Sequence, residues 1–381
     1  MTPARLGARA QGSLAAHAIL LTPFVLPLLS ILACAVSNEE PPPNDDIPNA
    51  VPDPASTSDA SLVDGAGDAS VPDTEVQAVP CDVGNVCRVP SPLIIGSVVA
   101  IAGRAKNDVW ASGSRGLVMH WDGQLWKDVQ PPIPTHESLT NLFVTPTETW
   151  GISGRAIVRR DLDPSTIVTT RIGIGRYFSG LAILPTGDVY ACVSPKGAEG
   201  AINQVLGKVD LATKKATFVA DPILESLNQV QTMAVRAMHF VPDHAIWLVG
   251  DHGSVARYGV SPVGNGVIVP SSSTANLRAA WGYDDHLWTS GSRGTILHYD
   301  GAAWHAPPSG TTVGINAIFG VAPDDVWAAG EKGTILHFDG SSWSAVDVAG
   351  YDGTFWTIWG SGRDDIWFGG DNGFFHWGPL Q

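Results

Sequence analysis

Seven aromatic residues recur at nearly equal intervals along this chain: Trp110, Trp150, Tyr190, Trp247, Trp288, Trp327 and Trp367, spaced 40, 40, 57, 41, 39 and 40 residues apart. Each lies in a short Asp-x-Trp-like core. One supersecondary unit has therefore been copied seven times, and a unit of about forty residues cannot bury its own apolar faces without its neighbours.

The best copies read GRAKNDVWASGSRGLVMHWDGQLW from residue 103 and GVAPDDVWAAGEKGTILHFDGSSW from residue 320, and residues 282–304 and 360–377 follow the same frame. In the copy around Trp327, the run 317–319 is one strand, Pro323-Asp324-Asp325 a loop and 326–329 a second strand. Gly330-Glu331-Lys332-Gly333 is the turn, 334–338 a third strand, and Asp339-Gly340 turns into a fourth near Trp343. Runs of four to six residues bounded by Gly, Asp and Pro are too short for helices, and Asp-Gly suits a tight hairpin. The 14 tryptophans read as packing between sheets. Blade two shortens its turn to Gly151-Ile152-Ser153-Gly154. Blade three uses Tyr190 and carries an insertion at 194–203. The expected fold is all-β, a seven-bladed β-propeller of four-stranded antiparallel blades over residues 81–381.

After Trp377 only four residues remain, so the last copy lacks its fourth strand. The apolar segment 88–95 is expected to supply it, with Pro90 and Pro92 tolerated on an outermost edge.

Residues 1–33 read as an export segment: Arg5 and Arg9 precede an almost wholly apolar run at 14–33. Ile31-Leu32-Ala33 before Cys34 resembles the lipobox of bacterial lipoproteins, which implies cleavage before Cys34, diacylation of its sulfur and, with Ala35 following, sorting to the outer membrane. A plain secretory signal or an uncleaved anchor helix are the alternatives. Residues 34–80 are rich in Pro, Ala, Ser and Asp, with ten acidic side chains and no Lys or Arg. Such a stretch is expected to be disordered, serving as a tether or an acidic interaction tail.

Of the net charge of −15, Arg5 and Arg9 contribute +2 and this stretch −10, which leaves −7 on the remainder. A net-acidic ring without a basic stripe argues against nucleic acid as partner. Cys81 and Cys87, with five residues between them, are expected to form a disulfide in an exported chain. Cys192 stands in an apolar strand and reads as a buried thiol.

Four histidines, His120, His298, His337 and His376, occupy one repeat position, which points to a hydrogen bond within the blade rather than a shared metal. Asp108, Asp325 and Asp365 are expected to cap the loop before the second strand, and Asp122, Asp300 and Asp339 to form the Asp-Gly turn. No phosphate loop, His-Glu-x-x-His helix or Gly-x-Ser-x-Gly elbow occurs, so no catalytic residue, cofactor or metal is assigned. The Asp-Gly-x-x-Trp ending resembles the Asp-box, or bacterial neuraminidase repeat, and its photosystem assembly-factor-like and regulator-type propeller relatives. That resemblance implies a blade; the Phe/Tyr-Arg-Ile-Pro segment of sialidases is missing.

In a propeller the turn between strands two and three shares a face with the inter-blade connections. Arg115, Arg155, His252, Arg293, Lys332 and Asn372 stand at those tips and form the candidate binding face. The expectation is a monomeric, lipid-anchored, extracytoplasmic platform, on the periplasmic side or at the cell surface, contacting a protein or a glycan without catalysis. A polysaccharide-active enzyme and an assembly helper for an envelope complex are the alternatives.

Overall fold

The computed structural model describes residues 84–91, 96–129, 139–145, 148–153, 156–161, 167–171, 177–194, 206–210, 212–213, 215–218, 235–260 and 263–380. The export segment with Cys34, the acidic stretch, Cys81, Arg155 and residues 195–203 of the blade-three insertion lie outside them.

The described strands form seven four-stranded antiparallel sheets. Blade six is representative: Ile315–Ala322, Asp325–Gly330, Ile335–Phe338 and Trp343–Val346, each strand pairing with the next in sequence. The innermost strand of each blade touches those of the blades on either side, and the chain of contacts returns from blade seven to blade one. The second strands Ala245–Gly250, Asp325–Gly330 and Asp365–Gly370 are buried at every residue. A sheet sandwiched between two others exposes neither face, so apolar runs replace the alternation of a half-solvated strand.

Seven apolar clusters hold the ring, each spanning two successive blades. The repeated tryptophan is the knob that crosses the four gaps from blade four round to blade one. Trp247 reaches Tyr299 of blade five, and Trp288 reaches Phe338 and Trp343 of blade six. Trp327 reaches Phe368 and Trp377 of blade seven, and Trp367 reaches Trp121 and Trp126 of blade one. Ring centroids stand 5.0–5.8 Å apart in these pairs, the spacing of favourable tilted and edge contacts. Toward the channel, Gly320 has no side chain because Trp281 of blade five lies against its backbone. A Cβ there would stand 2.5 Å from that ring.

The closing strand is Val86–Val89, which pairs antiparallel with Gly373–Trp377 in the register Val86↔Trp377 to Val89↔Phe374. Closure by a strand from before blade one is therefore observed, but with an earlier boundary than 88–95. Pro90 has no N–H to donate, and the ladder stops before it. Pro92, Leu93, Ile94 and Ile95 lie outside the described residues. Val86 packs into the cluster between blades six and seven and Val89 into that between seven and one, as residues an odd number apart on a strand must. The blade-two turn also differs. Glu148–Ser153 is strand throughout and Ser153 pairs with Ala156, so Gly151-Ile152-Ser153 belongs to the ladder and not to a turn, because Ile152 is needed in the core.

Phe374, wholly buried, stacks on Trp126 of blade one at 3.9 Å between ring centres. Phe374→Ala opens a cavity at the seam where the ring closes. Denaturant unfolding should show a loss of about 3–5 kcal/mol.

Candidate functional site

Opposite every anchor aromatic stands a nitrogen base: His120, Arg159, Lys208, Arg257, His298, His337 and His376, in blade order. Two residues before the anchor stand Asp108, Glu148, Asp188, Ala245, His286, Asp325 and Asp365. In blade six Asp325 accepts from the Trp327 indole at 2.8 Å and contacts His337 at 2.9 Å, while His337 stacks on Trp327. Blade one repeats this with Asp108, Trp110 and His120, and His376 meets Asp365 at 2.8 Å in blade seven. Blade two substitutes Glu148 and Arg159, blade three Asp188 and Lys208. Asp108, Glu148 and Asp325 thus hold both the anchor and its partner, and Asp188 and Asp365 the partner alone, rather than capping a loop. Burial opposes ionisation of Asp108 and Asp365. Bonds from His120, Arg104 and Trp110 to the first, and from His376 and Ser361 to the second, still hold both below the usual carboxylate range. Asp122, Asp300 and Asp339 each accept two backbone N–H groups of the hairpin turn, as their Asp-Gly context implied.

Blades four and five break the pattern. Ala245 and His286 replace the acid, and the buried Trp247 and Trp288 indoles find no acceptor among the described residues. Arg257 turns instead to Asp285 of blade five. His298 meets His286, and burial with the neighbouring His286 and His305 pushes it down to about 4.

At the other end of the blades lie the tips. Arg115, His252, Arg293, Lys332 and Asn372 are all exposed and all left-handed, with φ of 60°, 56°, 58°, 55° and 59°. Side chains enter this region at a cost, and five equivalent instances mark it as the geometry of the turn. The tips are pinned to the inter-blade connections by backbone bonds such as Ser292 N to Asn276 O at 3.0 Å and Glu331 N to Gly314 O at 2.9 Å. Tips and connections therefore share one face. The structure does not bring these tip residues together, since each belongs to a different blade.

What the structure does bring together was not identified from the sequence. In every blade the ladder between strands one and two slips beside the tip, for example at Val235/Ala237, Leu277/Ala279, Ile315/Ala317 and Phe355/Thr357. A bulge leaves one residue unpaired and re-aims its side chain. The residues so placed include Arg236, Arg278, Asn316 and Trp356, and with Glu331 they line a cavity of about 460 Å³ at the channel mouth. Arg236 is paired with Asp251, and Arg278 donates to Asn316 and Glu331, both at 2.7 Å. Trp356 is 42% exposed and donates to Asp371 at 2.8 Å. The Arg278 bond holds Glu331 below the usual carboxylate range, and burial of Asp371 is outweighed by bonds from Ser97, Trp356 and Thr354. Glu331 and Asp371 are therefore both ionised and engaged. The channel below encloses about 490 Å³. On the same face a shallow groove of about 970 Å³ runs past Arg293 between Ser271–Ser273 and Pro307–Thr312, with no acidic residue among the described residues that line it.

A signal for the mouth existed. Aligned copies read Val98-Val99-Ala100, Val235-Arg236-Ala237, Leu277-Arg278-Ala279, Ile315-Asn316-Ala317 and Phe355-Trp356-Thr357, so one column varies freely between two constant ones.

This ring is a seven-bladed β-propeller. No protein-family model and no curated protein matches the sequence. Among solved structures it is similar to YCF48 from Cyanidioschyzon merolae, with a TM-score of 0.62, 14% identity, and 77% of this chain and 98% of that one covered. YCF48 bound to D1 peptide aligns at a TM-score of 0.61 and 15% identity, covering 79% and 99%. Virginiamycin B lyase from Staphylococcus aureus aligns at 0.61 and 15%, covering 77% and 98%. The extracellular domain of BT4673 from B. thetaiotaomicron aligns at 0.58 and 14%, covering 77% and 40%. Identities this low carry the fold and not the activity.

Supplying blade four with the missing acceptor, Ala245→Asp, should raise stability by about 1 kcal/mol in denaturant titrations, whereas Asp325→Ala should lower it by about 1–3 kcal/mol. In the channel wall, burial pushes His239 down to about 4, against an ordinary value of 6.5, and its bond to the Gly282 carbonyl only partly opposes this. A histidine with a depressed folded pKa contributes stability that is complete above its unfolded value and fades as pH falls toward the folded one. Unfolding free energy should therefore drop between pH 6.5 and 4. His239→Phe, the residue that Phe143 and Phe319 represent in blades two and six, should flatten that slope.

Proposed function

We propose that this chain is a lipid-anchored, extracytoplasmic propeller of the cell envelope that binds a protein partner, without catalysis, through the face carrying the channel mouth and the tips. The observation that carries the reading is the convergence of bulged residues from successive blades on one mouth. Arg278, Asn316 and Trp356 offer donors and a partly exposed aromatic surface, the composition in which binding energy concentrates. Glu331 and Asp371 are held ionised by partners, which suits recognition better than proton transfer. Around the mouth, Arg115, Arg293 and Lys332 have no ion-pair partner among the described residues, so the rim favours an anionic surface. The peptide held by YCF48 is a precedent for a propeller of this fold taking a protein segment.

The envelope setting rests on the export segment and on Cys34 as the lipidation site, with placement in the outer membrane. Cys87 is disulfide-bonded, which supports an oxidising compartment. We assign Cys81 as its partner, since a lipidated Cys34 has no thiol to offer and Cys192 is enclosed in the apolar cluster between blades three and four. The ring works as a monomer, and assisting assembly of an envelope complex is one form that this binding takes.

Full-length protein in detergent, immobilised and incubated with envelope extract, provides the test. Arg278→Ala/Trp356→Ala should weaken capture of the bound protein at least tenfold. Arg115→Ser/Arg293→Ser/Lys332→Ser should weaken it less, and mainly at low salt. Capture unchanged in both variants, capture of a glycan instead, or turnover of a polysaccharide panel would each overturn the reading.

A further inference from the structure

Blade five carries a histidine cluster that the repeat does not require, at the opposite end of the blade from the channel mouth. His286 opens the second strand, His298 lies on the third and His305 on the fourth. His298 is the register partner of both Trp288 and His305, and His286 precedes Trp288 by two residues, so all three imidazoles share one face of the sheet. His286 Nδ1 lies 3.2 Å from His298 Nε2, and the Tyr283 hydroxyl lies 3.2 Å from the same Nδ1.

In blades one, six and seven the position of His286 is an aspartate, and the histidine opposite the anchor meets a carboxylate. Blade five has exchanged that anion for a second imidazole. Each facing nitrogen is a ligand atom wherever the ring's proton sits on its other nitrogen, and the 3.2 Å between them is the bite of a cation bonded to both. We propose that His286 Nδ1 and His298 Nε2 form a chelating pair for a borderline transition-metal ion of the Cu(II), Ni(II) or Zn(II) class.

The geometry fits. Imidazole–metal bonds of about 2.0–2.1 Å put two ligand nitrogens about 2.9–3.4 Å apart in square-planar or tetrahedral coordination. Both rings are fixed by stacking, His298 on Trp288 at 4.1 Å and His286 on Tyr283 at 4.6 Å, so little side-chain entropy is lost on binding. His305 stands next on the same face, its ring centre 6.2 Å from that of His298. Its Nε2 is held 2.7 Å from Asp300, the carboxylate–imidazole relation that commonly supports a metal-ligating histidine. His305 is 58% exposed, which leaves the cluster open to solvent on that side.

The sister blades supply the control. His286→Asp rebuilds the acid–imidazole pair that blades one and six already tolerate, so it removes one ligand without disturbing the sheet. Full-length protein is titrated with Cu(II), Ni(II) and Zn(II) at neutral pH by calorimetry, with a thermal melt at each end point. Cu(II) is also examined by electron paramagnetic resonance. One equivalent should bind the parent with micromolar Kd, raise Tm and show nitrogen coupling from two imidazoles. His286→Asp and His298→Gln should each weaken binding at least tenfold and lose that two-nitrogen signature, while His120→Gln in blade one leaves both unchanged. Absence of saturable binding by all three metals, or binding undiminished in His286→Asp and His298→Gln, overturns the proposal. Neither result bears on partner capture at the other end of the ring.

Discussion

The contact on which the rest of this molecule depends is the indole that leaves one blade and lodges between the outer strands of the next. Among the described residues no blade has a core of its own: the seven apolar clusters all lie between sheets. Stability is therefore a property of neighbouring pairs, and a ring is the arrangement in which every blade has two neighbours. Closure by Val86–Val89 follows from the same logic, because it makes the last sheet as complete as the others and ties the two ends of the ring together by hydrogen bonds.

The two ends of each blade are held to different rules. Near the first hairpin, the acid before the anchor and the base across from it pair directly in most blades, as in Asp108 with His120, Asp325 with His337 and Asp365 with His376. That network satisfies an indole or an imidazole that packing would otherwise strand without water. Near the tip, the bulge in the first strand frees one residue per blade from the ladder, and there the sequence varies: Val99, Arg236, Arg278, Asn316 and Trp356. A fold that keeps one end constant can diversify the other at little cost in stability.

Much of the architecture was legible because it is periodic. The anchors, the Asp-Gly hairpins and the need for a strand from before blade one all follow from comparing copies, and the pairing confirms them. The boundary of the closing strand was misplaced because apolar character at 93–95 outweighed the missing donors of Pro90 and Pro92. The blade-two turn was misplaced because Gly151 looked like a turn residue, whereas burial of Ile152 keeps that stretch in the sheet. Conformationally, Arg115, His252, Arg293, Lys332 and Asn372 met expectation as exposed turn positions, but they are spread one to a blade. No motif marks Arg236, Arg278 and Trp356, because a bulge leaves none, and His286 stands outside the histidine position that four blades share.

By itself the sequence determined the number of blades, the identity of the knobs and the face on which the chain is free to vary. Each of these follows from a spacing repeated within one polypeptide, and spacing is local information. Only the tertiary structure decided which residues meet. Arg278 and Glu331 are 53 positions apart and belong to different blades, and their contact exists because the sheets converge on a common channel. The same holds for Phe374 on Trp126, joined across the seam by ring closure. Convergence at a centre is set by the number and curvature of all the blades together, and no single repeat contains it.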